Sequence, residues 1–306
     1  MIRSLSAWLR GGSNRPGVWL GVFGKHPAWD DHIDDIGLET QRLVEVKRSL
    51  YTRGLTDAFD SGAWDRLEER DRLPGFSHTL VWRWPGDVVV ARMWSSKDGK
   101  GRTRYPMIAA VQASGLPHDR AVAVSIAALA PLERRCATAS SQASVRSSVA
   151  ETLNSLREQL GVSPGSDPAD PDPAGLALVS AWASGAPREA FPRIVHHLAA
   201  SAGGTGAIHF RGAMVGTREG ASACAWIAAA MGVLGVQRVL RDGVLAVEAR
   251  DAGLVDLIIG EASPSSLRCL RSARSVEPMT QDVPYTLSAG IISKADGLLT
   301  DWAGRG

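Results

Sequence analysis

The sequence predicts an α/β protein, a layered sandwich with a central mixed sheet covered by helices, followed by a second, smaller α/β or α+β domain. Short apolar runs bounded by glycine or proline alternate with longer segments whose apolar residues recur every three or four positions. Such interleaving is typical of a sheet with helices packed on it. The proline-rich stretch at 162–175 predicts an exposed linker between domains at 1–161 and 176–306.

The first segment opens with the apolar run GVWLGVFG (17–24), which predicts a buried strand ending in a turn at Gly24-Lys25-His26-Pro27. Between 40 and 59 the apolar positions have helical spacing, so a helix is expected there. Pro85-Gly86 separates two extended runs and predicts a hairpin. The remaining elements expected here are strands at 76–85, 87–94 and 105–113 and helices near 118–135 and 141–160.

The second segment has the same mixed character without repeating the sequence of the first. Its apolar spacing predicts three helices and three strands. The helices are expected at 174–184, 188–200 and 221–235, and the strands at 206–210, 244–249 and 254–260.

Composition narrows the class of protein. The 34 basic residues exceed the 32 acidic residues by only two, which argues against a general nucleic-acid binder. No stretch is long and apolar enough to predict membrane insertion, and the N-terminal MIRSLSAWLRGG lacks the apolar core of a secretory signal. Three widely spaced cysteines predict no disulfide framework, which fits the reducing cytoplasm.

The common catalytic patterns are missing from the sequence. GxSxG, GxxxxGK[ST] and HExxH do not occur. The residues therefore predict no catalytic group, no cofactor and no metal.

The acidic loop HPAWDDHIDDIG (26–37) is the densest group of potential metal ligands, with four aspartates and two histidines. Counting an EF-hand loop from Asp30 places Asp35 at the sixth position and Gln41 at the twelfth, where glycine and glutamate are required. The residues alone favour a polar loop. A metal-dependent hydrolase or phosphatase using Asp30, Asp31, His32 and Asp34 remains an alternative.

The basic loop at 97–104, KDGKGRTR, carries four cationic residues and two glycines. Glycine allows close backbone approach, and Lys and Arg supply donors, so the loop could hold a phosphate or an acidic partner. A solvated turn between two strands is the simpler interpretation, and the residues alone favour it.

These two loops also carry a resemblance to a known family. VWLGVFGKHPAWDDHI (18–33), followed by WSSKDGKGRTRYPMIAAV (94–111), resembles the N-terminal domain of the TagF family of type VI secretion accessory proteins. Gly24 to Pro27 stand at the family's GKLP, Asp31 falls on the aspartate of GDF, and Gly101 to Met107 are similar to GRxFPL with one residue added. The resemblance covers roughly 16–135. His26, Asp30 and His32 depart from the family pattern.

The resemblance implies an α/β sandwich and a repressor of type VI secretion that acts after translation, in some members by engaging a forkhead-associated-domain component. We therefore expect a cytoplasmic, non-enzymatic regulator or adaptor whose partners are protein components of a secretion apparatus. Because the acidic and basic loops have opposite charge, they should either pair within the domain or form two poles of a partner interface. The expected partner-binding residues are Lys25, His26, Asp30, Asp31, His32, Lys100, Arg102 and Arg104.

A third interpretation rests on fold-level analogy alone. Sheets covered by helices also serve as platforms for small GTPases, so a binding module for such a switch protein is a further alternative.

Overall fold

A single sheet of seven strands organises the part of the chain that the structure describes. The computed structural model describes residues 16–161, 190–204, 206–215 and 218–303. The predicted linker at 162–175 and the predicted helix at 174–184 lie outside these residues. The strands are β1 (Gly17–Gly24), β2 (Ser77–Trp84), β3 (Asp87–Trp94), β4 (Met107–Ser114), β5 (Ile208–Ala213), β6 (Val244–Ala249) and β7 (Leu254–Ile259).

The strand order is β1-β4-β3-β2-β6-β7-β5, and every pairing is antiparallel, where a mixed sheet was expected. Short connections account for two of the six pairings. The β2–β3 connection is the predicted turn at Pro85-Gly86, and β6 and β7 are also joined by a short turn, whereas a parallel pair needs a crossover of a dozen residues or more.

The strands of the second segment continue this sheet rather than form one of their own. β2 pairs on one side with β3 and on the other with β6, from His78 opposite Ala249 to Arg83 opposite Val244. As a central strand, β2 has five consecutive buried residues, His78 to Trp82, and needs a neighbour on each edge. The two segments therefore share one sheet and the cores on both of its faces.

Helices cover both faces of the sheet, which confirms the α/β sandwich. One face packs against α3 (His118–Thr138), α4 (Gln142–Gln159), α5 (Ala190–Ala200) and α6 (Ala221–Leu234). The other face packs against the helical segment at 41–60 and a 3₁₀ helix at Ser266–Leu270. Two further helices are α7 (Val236–Arg241) and α8 (Ala289–Ala303). No helix in the described part of the chain is long and apolar enough to cross a membrane.

The helix predicted between 40 and 59 has an irregular centre. It begins as α1 (Gln41–Lys47), whose first turn is capped where the Thr40 hydroxyl accepts the Leu43 N–H at 3.1 Å. It continues as a π-helix over Arg48–Thr56 and ends as α2 (Asp57–Asp60). Gly54 lies in the wider π-helical turn, where an added Cβ would come within 2.6 Å of the Leu267 side chain. The missing side chain therefore lets this helix pack against the 3₁₀ helix.

Candidate functional site

The acidic loop and the basic loop meet at one end of the sheet, where β1 ends, β3 ends and β4 begins. The Lys25 N–H donates to the Pro106 carbonyl at 3.2 Å, and the Gly99 N–H donates to the Trp29 carbonyl at 2.6 Å. A second turn folds the acidic loop back on itself, since the Ile33 N–H donates to the Gly24 carbonyl at 2.9 Å. The backbone thus fastens two regions that are about 70 residues apart in the chain.

Gly24 permits this junction. Its φ of +116° is rarely adopted by residues with a side chain, and a Cβ there would lie 2.2 Å from the Pro106 carbonyl oxygen. Glycine at the first position of the Gly-Lys-His-Pro turn is therefore required by both backbone conformation and close approach to the neighbouring strand.

Four charged side chains form an ion network (Lys25, Asp31, Asp98 and Arg102) inside the junction. Lys25 Nζ lies 2.5 Å from Asp98 Oδ2 and 3.2 Å from Asp31 Oδ1. Arg102 lies 2.7 Å from Asp98 through Nε and 3.0 Å from Asp31 through Nη2. Lys25, immediately before the acidic loop, thus pairs with Asp98 of the basic loop, and Arg102 of the basic loop pairs with Asp31 of the acidic loop. Of the two predicted arrangements, pairing within the domain is therefore the one observed.

The network fixes the charge states of its two acids. Burial alone would raise the pKa of Asp98, but hydrogen bonds from Lys25 and from the backbone and side chain of Arg102 hold it well below its usual value. The hydrogen bond from Lys25 is the main cause that lowers the pKa of Asp31, and the Arg102 charge also lowers it. Both carboxylates are therefore ionised at neutral pH, and the four charges sum to zero.

Lys25 and His26 are buried, so their side chains are not available as direct partner contacts. His26 accepts the Ala28 N–H through Nδ1 at 3.0 Å, which leaves Nε2 as the donor to the Cys136 carbonyl at 2.8 Å. Because Cys136 lies in the last turn of α3, His26 ties the acidic loop to that helix. Both side chains therefore lie beneath the exposed surface of the junction, where they hold the acidic loop to its neighbours.

The other predicted partner-binding residues reach the surface. Half of the Arg102 side chain is exposed despite its two ion pairs, and Arg104 is exposed to a similar extent. His32 Nδ1 lies 3.1 Å from Asp31 Oδ1, and its ring contacts the rings of Tyr51 and Tyr105 edge-on. Partial burial is the main cause that lowers the pKa of His32. The exposed set is Asp30, Asp31, His32, Lys100, Arg102 and Arg104.

Two other aspartates of the acidic loop bind separate partners. Asp34 accepts hydrogen bonds from Trp29 Nε1 at 3.3 Å and Arg146 Nη2 at 3.0 Å. Asp35 forms an exposed ion pair with Lys47 at 2.5 Å. In the described residues, no three potential ligand atoms of the acidic loop lie close enough together to hold a metal ion.

In the described part of the chain, three potential metal ligands do come together elsewhere, at His209, Asp256 and Cys269. In this group, the carboxylate of Asp256 is already paired with Arg211. Arg211 is buried and holds Asp256 through Nε at 2.9 Å and Nη2 at 3.0 Å, while His209 Nε2 lies 2.9 Å from the same carboxylate. Arg211 also donates to backbone carbonyls, including that of Ser272 at 2.8 Å. The group is a buried ion pair that fastens the 3₁₀ helix region to the sheet.

Asp98 is the functional candidate that the partner-binding prediction omitted. It is buried, and its Oδ1 accepts the N–H groups of Lys100 at 3.1 Å and Arg102 at 2.9 Å. The available signal was a single acid within the basic loop, followed by glycine at the next position and at the third. An aspartate in that setting commonly caps the backbone of its own turn.

Comparison with known proteins leaves the resemblance as an expectation. No protein-family model matches this chain, and no curated protein matches it.

Proposed function

We propose that this protein is a non-enzymatic regulator or adaptor of the TagF kind, which acts on type VI secretion through protein contacts at the junction of the acidic and basic loops. One observation carries the proposal. The charged residues of the two motifs behind the resemblance, Lys25 and Asp31 in one and Asp98 and Arg102 in the other, meet in a single ion network. A shared contact explains why both motifs would occur together in one domain.

The state of these residues favours a contact surface over a reacting centre. A general acid or base must reach a substrate and exchange a proton near neutral pH. Asp98 is buried and bonded to Lys25 and Arg102, and hydrogen bonding and nearby charge favour its ionised form. The network is therefore suited to holding two loops in a fixed relation.

Because the two loops are fixed relative to each other before binding, association with a partner loses less conformational entropy. Side chains that are ordered before binding lose less conformational freedom in a complex. Here Arg102 is held by Asp98 and Asp31, and Arg104 donates to the Phe59 carbonyl at 2.6 Å with its guanidinium 4.7 Å from the Phe59 ring centroid. These exposed side chains offer a partner a preformed set of contacts.

The partner we propose is a protein component of the secretion apparatus in the cytoplasm, with a forkhead-associated-domain component as the first candidate. The test is affinity capture from the source cells with the tagged full chain, followed by mass spectrometry. We expect secretion components to be enriched, and we expect His32→Ala combined with Arg104→Ala to reduce that enrichment. His196→Ala combined with Arg241→Ala, both outside the two loops, serves as the matched control. Capture that contains no secretion component would contradict the proposal.

A further inference from the structure

The tip of the basic loop carries two lysines, Lys97 and Lys100. Lys97 and Lys100 are exposed, and neither ammonium group has an ion pair or hydrogen bond within the described ranges 16–161, 190–204, 206–215 and 218–303. They stand on either side of Gly99. This tip is therefore cationic.

The ion network already engages two of the nearby acids, Asp98 and Asp31, so neither is free to neutralise the tip. Asp98 is buried against Lys25 and Arg102, and Asp31 is shared among Lys25, Arg102 and His32. Asp30 remains as one exposed acid, with a carboxylate oxygen 3.1 Å from where a Cβ on Gly99 would lie. Two cations against one anion leave an excess positive charge at the tip.

The backbone beneath the lysines is held in place. Asp98 Oδ1 accepts the Lys100 and Arg102 N–H groups, and the Gly101 N–H donates to the Asp98 carbonyl at 2.9 Å. Gly101 has a φ of +79°, with open space on the side where a Cβ would stand. The loop thus presents both ammonium groups from a constrained turn, which limits the entropy lost when a partner binds.

We propose that this cationic tip binds an acidic segment of the protein partner, an inference that rests on the proposed function. Exposed opposite charges chiefly raise the association rate and select the partner. Nucleic acid is the less suitable occupant. Its recognition draws on many phosphate contacts, whereas this tip offers two unpaired cations in a chain whose net charge is only +2.

The experiment measures fluorescence anisotropy of labelled poly-L-glutamate with the full chain at low salt. The test variant is Lys97→Glu combined with Lys100→Glu. The matched control is Arg241→Glu combined with Lys294→Glu, which changes net charge equally. Arg241 lies just before β6, and Lys294 donates to the Val233 carbonyl at the end of α6. Arg241 lies at the opposite end of the sheet from the basic loop, because β6 begins opposite the end of β2 whereas β3 ends opposite its start. Lys294 lies in α8, outside both loops.

We expect wild type and control to bind poly-L-glutamate with affinity that falls as salt rises, and the test variant to bind about tenfold more weakly. Equal binding by all three proteins would overturn the proposal, because it would show attraction by net charge alone. Tighter binding to single-stranded DNA of matched charge would overturn it in favour of a nucleic-acid surface.

Affinity capture with the same variants separates the two proposals. If wild type captures no secretion component but still binds poly-L-glutamate through Lys97 and Lys100, the proposed function fails and the chemistry of the surface stands. If capture succeeds and is unchanged in the Lys97→Glu, Lys100→Glu variant, the regulator function stands and the cationic tip is not its contact.

Discussion

Lys25 Nζ lies 2.5 Å from Asp98 Oδ2, and the two side chains are only 5% and 0% exposed. This buried ion pair joins two loops that belong to different strands of the sheet. Removing one member of a buried pair leaves the other charge without full compensation in a poorly solvated place, which costs far more than the pair itself contributes. The junction should therefore be sensitive to charge removal at Lys25.

We expect Lys25→Met to lower the free energy of unfolding by about 3 kcal/mol. The matched control is Lys47→Met, because Lys47 also lies 2.5 Å from an aspartate, Asp35, but these side chains are 30% and 41% exposed. Exposed pairs are worth about 1 kcal/mol or less. Urea denaturation followed by circular dichroism measures both. Equal losses in the two variants would show that burial does not decide the strength of the Lys25 pair.

The sequence could predict the loops but not their mutual pairing. Opposite net charge predicts the Arg102–Asp31 contact, yet the buried pair at the centre, Lys25 with Asp98, opposes the net charge of both loops. Lys25 and Asp98 would be assigned to solvent by composition alone, since Lys and Asp are mostly exposed. Their burial follows from the antiparallel pairing of β1 with β4 and of β4 with β3, which brings the two loop bases together.

A second prediction concerns Gly24. We expect Gly24→Ala to lower the free energy of unfolding by more than about 3 kcal/mol. The added Cβ would overlap the Pro106 carbonyl oxygen, and alanine would have to adopt a strained positive φ. Gly101→Ala is the matched control. It also has positive φ, but nothing lies within 4 Å of its Cβ position, so about 1 kcal/mol is expected. Thermal and urea unfolding give the comparison, and a Gly24→Ala loss no larger than the control's would exclude steric overlap as its cause.

The group at His209, Asp256 and Cys269 should not bind a metal in the folded protein. Arg211 neutralises Asp256, and burial raises the pKa of the Cys269 thiol, so two of the three ligands are unsuited to a divalent cation. Titration with Co²⁺ should give no thiolate-to-cobalt absorption. Cys269→Ser is the reference. An absorption band that saturates at one equivalent in wild type and vanishes in this variant would contradict the assignment of Arg211 as the resident cation.

Periodicity located the regular elements of the sheet well, because buried strands and amphipathic helices carry their packing in the sequence. β1 occupies the predicted 17–24, and both ends of α6 agree with the helix predicted at 221–235 to within one residue. Apolar periodicity does not identify which strands pair with each other. The pairing of β2 with β6 joins residues more than 150 positions apart, and apolar spacing records which face is buried without recording the neighbour.

His78 supplies a prediction about acid stability. It is buried, Nδ1 accepts the Ser77 N–H at 3.1 Å, and Nε2 has no partner within the part of the chain that the structure describes. Burial lowers its pKa to about 4, against the opposing charge of Asp256. The unfolded chain takes up a proton near pH 6.5 while the folded protein does not, so the folded state is fully favoured above pH 6.5 and loses stability as pH falls towards 4.

Urea midpoints measured between pH 7 and pH 4.5 test this effect. We expect wild type to lose about 1.4 kcal/mol per pH unit from His78 below pH 6.5. His78→Leu should have a shallower slope by that amount, whatever its stability at pH 7. His118 gives an independent comparison, because burial and the Arg83 charge also lower its pKa to about 4. His118→Gln should therefore also reduce the loss of stability with falling pH over the same range. Parallel curves for wild type and His78→Leu would show that His78 becomes protonated in the folded protein as readily as in the unfolded chain.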